Sequence, residues 1–190
     1  MDFACLDLLN SEWHDYRGSG RTEDRLENPR WLGEFLARWR LEVAAPPGPD
    51  ARTALAALRS LLRRMVEALH SGSFPAAADL VKLNAVLTAA PAVRHVASID
   101  GGYRVELVPV ERNWDWVLAE VAASFAELLA HHDPHRVKVC ENPDCRWVFY
   151  DESRNRTRRW CESAGCGNLL KVRRFRARQQ KASRKTGRTS

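Results

Sequence analysis

The sequence predicts an α+β chain in two parts. The first is a mostly helical N-terminal domain with a small antiparallel sheet; the second is a small C-terminal four-cysteine zinc finger, ordered as knuckle, β-hairpin, knuckle and basic helix. Three observations predict this. Apolar residues recur at helical spacing over several stretches. An Asp-Gly pair separates two runs suited to strands. Four of the five cysteines fall between residues 140 and 166. The expected boundaries are 1–133 for the first domain, 136–180 for the finger, and 181–190 for a flexible basic tail.

Residues 3–9 are short and apolar, ending at Asn10-Ser11, and suit either a strand or a buried helical turn. Residues 13–27 are rich in Arg, Asp and Gly and read as a loop. Asn28-Pro29 starts a helix, with Asn as cap and Pro in the first position. Trp31, Leu32, Phe35, Leu36 and Trp39 then follow at helical spacing. After Pro46-Pro47-Gly48-Pro49, Asp50 can cap a second helix. Its stripe is Leu55, Leu58, Leu61, Leu62, Met65, Val66 and Leu69, with Arg59, Arg63 and Arg64 turned away.

A shorter helix runs from Asp79 to Leu87, and Pro91 ends it. Val93 to Ile99 and Tyr103 to Val110 form a hairpin about Asp100-Gly101. Residues 3–9, if extended, would add a third strand. Asn113 caps a last helix whose apolar side holds Trp114, Val117, Val121, Phe125, Leu128 and Leu129.

At 45% hydrophobic and 28% charged, the composition is that of a globular protein. No apolar run reaches the roughly 18 residues of a membrane span. The start, Met1-Asp2-Phe3-Ala4, shows no basic segment leading into an apolar one, so a cytoplasmic, nucleoid-associated location is expected. Residues 136–190 hold 16 Lys and Arg against 5 Asp and Glu, a net of +11, whereas residues 1–135 carry −5. A polyanion partner for one end follows from that asymmetry.

The cysteines are spaced Cys140-x4-Cys145-x15-Cys161-x4-Cys166. Two tight turns offer two thiolates each to the corners of a tetrahedron, and the spacer lets the chain go out and return. One structural zinc ion is expected, because four protein ligands leave no open position for a reacting water. The tighter cysteine runs of ferredoxins are missing, which disfavours an iron–sulfur cluster. The spacer, residues 146–160, is expected to be the hairpin, with Trp147, Phe149, Trp160 and Phe175 forming a mini-core. Cys5 stands apart as a small buried side chain.

Asn168 can start a helix at the second knuckle, with Leu169, Val172 and Phe175 on the face packed inward. Lys171, Arg174 and Arg178 share another face, widened by Arg173 and Arg176. The hairpin tip adds Arg154, Arg156, Arg158 and Arg159. An Arg-rich helix held on a metal knuckle suits the DNA major groove. The basic face shows no stacking aromatic among its arginines, which favours duplex DNA over single strands or RNA. Beyond Gln180, Lys181, Arg184, Lys185 and Arg188 would form a flexible arm attracting phosphate non-specifically.

These residues resemble a known family. Asp151-x-Ser153-x-Asn155, Arg159-Trp160-Cys161 and Cys166-Gly167-Asn168 look like the CGNR-type zinc finger of bacterial stress-induced transcription regulators. The arginine that names the motif is Leu169 here, so its role is lost or taken by a neighbour. Leu6-Asp7-Leu8-Leu9-Asn10 and Asn28-Pro29 with Trp31-Leu32 are similar to the ABATE domain that precedes this finger in the family. The resemblance implies a DNA-binding regulator whose N-terminal domain senses a small-molecule effector or forms a homodimer.

The alternative is a zinc-clipped interaction module that binds RNA or an acidic protein. Asn10, Trp13, Arg17 and Arg25 could line an effector pocket between the first loop and the helices. No nucleophile motif, phosphate loop or open metal site marks the chain as an enzyme.

Overall fold

The computed structural model describes residues 2–186, with side chains described for 2–180. Helix α1 (Ala4–Leu9) is almost wholly buried and forms the centre of the body. Its six residues carry five buried apolar side chains, so this segment is a helical turn and not a strand. The loop expected over residues 13–27 instead holds a short hairpin, β1 (Glu12–His14) against β2 (Thr22–Asp24). Strands this short and polar leave little alternation to read.

Helix α2 (Pro29–Trp39) starts as expected, with the Asn28 side chain accepting hydrogen bonds from the amides of Arg30 and Trp31. Arg40, in the left-handed region at φ 54°, ends it. The long helix α3 (Pro49–His70) begins one residue before Asp50, with Gly48 at the cap. Its apolar stripe forms the core with α1 and α5 (Trp114–His131), the latter capped by the Asn113 side chain. Helix α4 (Ala77–Thr88) packs on α5 mainly through Leu83.

Two arginines of α3 depart from the expected outward face. Arg59 is buried and donates to Ser11 Oγ (2.8 Å) and to both carboxylate oxygens of Asp24 (2.7 and 2.6 Å). Arg63 donates to the carbonyls of Leu9 and Arg146, both at 3.0 Å. Burial pulls the Arg63 guanidinium below its usual range, whereas the Asp24 hydrogen bonds raise that of Arg59. Both long side chains bury their stems and carry their guanidinium groups to polar partners on neighbouring elements.

Strands β3 (Ala92–Ile99) and β4 (Gly102–Pro109) pair in the expected register about Asp100-Gly101. They form a two-stranded sheet; α1 adds no third strand. Val96, Val105, Leu107 and Tyr103 lie on one face and are all exposed, Tyr103 at 85%. Cys5 is fully buried in the body, and burial pushes its thiol up to about 12, the state of an inert packing residue.

The finger is seated on this body. Strand β5 (Val137–Val139) pairs antiparallel with β6 (Val148–Tyr150), and Val137 and Val148 belong to the main core. The Asn10 amide latches the two parts: its Nδ2 donates to the Val148 carbonyl (2.9 Å), and its Oδ1 accepts from the Val148 amide (2.8 Å). No helix among the described residues is long and apolar enough to cross a membrane.

Candidate metal centre and nucleic-acid interface

The hairpin that carries the first knuckle is β5–β6, and the 146–160 spacer is not itself a hairpin. The partner strand of Val148–Tyr150 lies before Cys140, so the cysteine pair Cys140 and Cys145 sits in the hairpin's connection. Cys140 donates its amide to the Trp147 carbonyl (2.8 Å), and Cys145 donates to that of Asn142 (2.9 Å). Arg146, at φ 56°, turns the chain back into β6. The second knuckle is a wide helical turn, Ser163–Gly167, which runs directly into α6 (Asn168–Thr186). Gly167 packs closely there: a Cβ would lie 3.2 Å from the Trp160 ring, which would have to shift to admit a side chain.

These turns bring all four sulfurs within 4.8 Å of one another. Cys145 and Cys161 are 3.6 Å apart, and Cys161 and Cys166 are 3.8 Å apart. Zinc–sulfur bonds of about 2.3 Å in a tetrahedron place sulfurs roughly 3.8 Å apart, so the donor set fits a divalent zinc ion. Hydrogen bonds from Cys145 and Cys161 pull the Cys140 thiol down to about 2. The same sharing pushes Cys145 up to about 12 and raises Cys161 as well. A bound cation would supply the charge that lets all four be thiolates. The Asn142 Nδ2 donates to Cys166 Sγ (3.4 Å) and to the Tyr16 carbonyl (2.8 Å), which orients the knuckle from outside the sulfur shell.

The spacer is organised by Asp151 rather than by strand pairing. Asp151 is fully buried; its Oδ1 accepts from the Ser153 amide (2.9 Å), and its Oδ2 accepts from Lys138 Nζ (2.6 Å) and the Arg158 amide (3.0 Å). Burial alone would raise this carboxyl, but the donated hydrogen bonds outweigh it and hold it at about 2. Trp147, Trp160 and Tyr16 pack beside Phe149 and the cysteines. Phe175, expected in this mini-core, is 56% exposed, and Val172 is 45% exposed. The helix keeps contact with the finger through Arg173, and from Arg174 to Gln180 its side chains are exposed.

The ten residues expected to meet DNA divide into two groups. Arg156 pairs with Asp133 (2.8 Å), Arg159 with Glu141 (2.7 Å), and Arg173 with Asp144 (2.7 Å). Arg173 also donates to the Arg17 carbonyl (2.7 Å) beneath Gly18. Arg158 lies over the Phe149 ring at 4.6 Å and donates to the carbonyls of Trp160 and Cys161. These four are tied into the finger.

Arg154, Lys171, Arg176 and Arg178 are exposed and make no hydrogen bond or ion pair among the described residues. Arg174 is exposed near the Glu141 carboxylate, and Asn168 is exposed at the helix start. Lys171, Arg174 and Arg178 share one face of α6. Helix α6 continues through Thr186, past the expected end at Gln180. The remainder of the expected tail, 187–190, and the side chains of Lys181, Arg184, Lys185 and Arg188 lie outside the described residues. Leu169, in place of the motif arginine, is half-buried in the first turn.

The four residues expected around an effector are not gathered in one place. Asn10 and Arg25 line one cavity, Trp13 another beside the cysteines, and Arg17 is exposed with its carbonyl against Arg173. Asn10 uses its amide on Val148, as a latch. Sequence reasoning missed Asn142, Tyr16, Arg63 and the hub role of Asp151. Only the Asp-x-Ser turn signal at 151–153 could have pointed to one of them.

Residues 136–179 match the CGNR zinc finger. Residues 2–132 match ABATE, described as "Putative stress-induced transcription regulator". No curated protein matches the chain. The ABATE match spans more than half of the sequence, and the chain therefore belongs to the ABATE family, with a CGNR zinc finger following that domain.

Proposed function

We propose that the protein is a DNA-binding transcription regulator holding one structural zinc ion on Cys140, Cys145, Cys161 and Cys166. The carrying observation is the junction of a closed four-thiol site with α6, whose Lys171, Arg174 and Arg178 share a face, with Lys171 and Arg178 unpaired among the described residues. Zinc would fix the second knuckle and thereby aim the helix. The helix presents cations to phosphates, and its arginines suit guanine edges in the major groove. The body receives an effector or a second copy. A homodimer would place two fingers on a two-part site, and the exposed β3–β4 face is a surface that supports one.

The test is a duplex-DNA shift with zinc-loaded protein, with and without chelator. Chelator-sensitive binding is expected; binding unaffected by zinc removal contradicts the proposal. A second reading, an RNA-binding module, is favoured by one feature: exposed Phe175 lies beside Lys171 and Arg178 and could stack on an unpaired base. Competition between duplex DNA and structured RNA separates the two, and preference for the RNA would select the second.

A further inference from the structure

A cavity of about 210 Å³ opens where α1 and α2 meet the finger. Trp31 and Phe35 stack with ring centroids 5.3 Å apart and planes inclined by 17°, which makes a flat wall on the body side. Trp147, between Cys145 and β6, supplies a wall from the finger. Arg25 is half-buried at the rim with its guanidinium 6.0 Å from the Trp13 ring centroid, and that guanidinium makes no hydrogen bond or ion pair among the described residues. Its neighbour Arg38 is different, being taken by Asp2 (2.8 Å) and Asp7 (3.4 Å). Asp7 also accepts from the Trp39 indole at 2.9 Å. The cavity thus combines aromatic walls with an uncommitted guanidinium, the donor fork that matches a carboxylate.

We propose that this cavity binds a small aromatic monocarboxylic acid, its carboxylate on Arg25 and its ring between the Trp31–Phe35 stack and Trp147. The volume accommodates one or two fused rings. A second carboxylate would meet Asp7 and Glu34, so the site selects mono-acids. A molecule held there touches the body and the finger at once, next to the Asn10–Val148 latch. Binding therefore favours the seated finger, and by linkage DNA and acid strengthen each other's binding. That last step rests on the DNA-binding reading; the binding of the acid does not.

The experiment is a calorimetric titration of the zinc-loaded full chain with indole-3-acetate, against tryptamine and acetate as controls. Saturable binding of indole-3-acetate is expected, with both controls weaker by about tenfold or more, the effect of losing a charge-assisted pair or the ring contact. Arg25→Gln should weaken the acid about tenfold, and Trp31→Leu should weaken it while leaving Arg25 in place. No saturable binding, equal binding of tryptamine, or undiminished binding by Arg25→Gln overturns the site. Duplex-DNA affinity is then measured with and without saturating indole-3-acetate. Tighter DNA binding supports the coupling, and unchanged DNA binding overturns it. Acid binding by a protein that binds no DNA would leave the cavity standing and refute the DNA reading alone.

Discussion

Replacing Asp151 by Asn isolates the organising contact of the finger spacer. The substitution is nearly isosteric, so no cavity forms in this fully buried position. One acceptor survives for the Ser153 amide. At the other position an amide nitrogen would face two donors, Lys138 Nζ and the Arg158 amide. Hydrogen bonds to charged groups contribute about 1.5–3 kcal/mol each, and an orphaned buried donor costs about 1–3 kcal/mol. The Lys138 side chain keeps 21% of its surface in water and can rehydrate, which places the sum near the low end of these ranges. The expected loss is therefore about 3 kcal/mol, or roughly 6–12 °C in melting temperature for a chain of this size. The assay is thermal unfolding of the zinc-loaded protein followed by tryptophan fluorescence, since Trp147 and Trp160 pack around the site. A shift below about 2 °C, under 1 kcal/mol on the same conversion, would mean that Asp151 does not organise the spacer.

Asn10→Ala should cost about 2–3 kcal/mol by orphaning the buried Val148 amide and carbonyl, and faster amide hydrogen exchange across β6 would report the loosened latch. Cys161→Ser should abolish tight zinc binding and also lower the melting temperature of the body, because Val137 and Val148 lie in the main core; a body that melts unchanged would contradict that packing. Asp24, held below its ordinary carboxyl range chiefly by the Arg59 hydrogen bonds, contributes stability above pH of about 4 that is lost as pH falls through its lowered value. The stability gap between wild type and Asp24→Asn should accordingly close on acidification, and a constant gap would refute the pairing. Arg178→Ala should leave the melting curve within about 0.5 kcal/mol of wild type, as for other exposed positions, while weakening duplex-DNA binding; unchanged binding would mean that this helix face is turned away from DNA.

Much of the body was legible because its signals are local. The Asn28 and Asn113 caps, the α3 stripe and the Asp100-Gly101 turn each depend on neighbours within a few residues. What was not legible depends on distant pairing. Arg59 reads as solvent-facing until Asp24 arrives from another element, and the spacer reads as its own hairpin because Val137–Val139, the true partner of β6, is too short to announce a strand. In the site, the cysteine spacing sufficed to name the four donors now found together. Which arginines are committed to the finger could not be read, since Asp133, Glu141 and Asp144 select among them by geometry alone. The outward Phe175 escapes prediction for a related reason: helical spacing reports a face, but not how far along the helix that face remains covered.

The most direct measurement of the central claim is the salt dependence of duplex-DNA affinity for the zinc-loaded protein. Contacts from Lys171, Arg174 and Arg178 alone predict a slope of log affinity against log salt of about −3, and steeper if Arg154, Arg176 and the residues beyond Gln180 join them. A slope near zero would contradict the assignment of α6 as the DNA-contacting element.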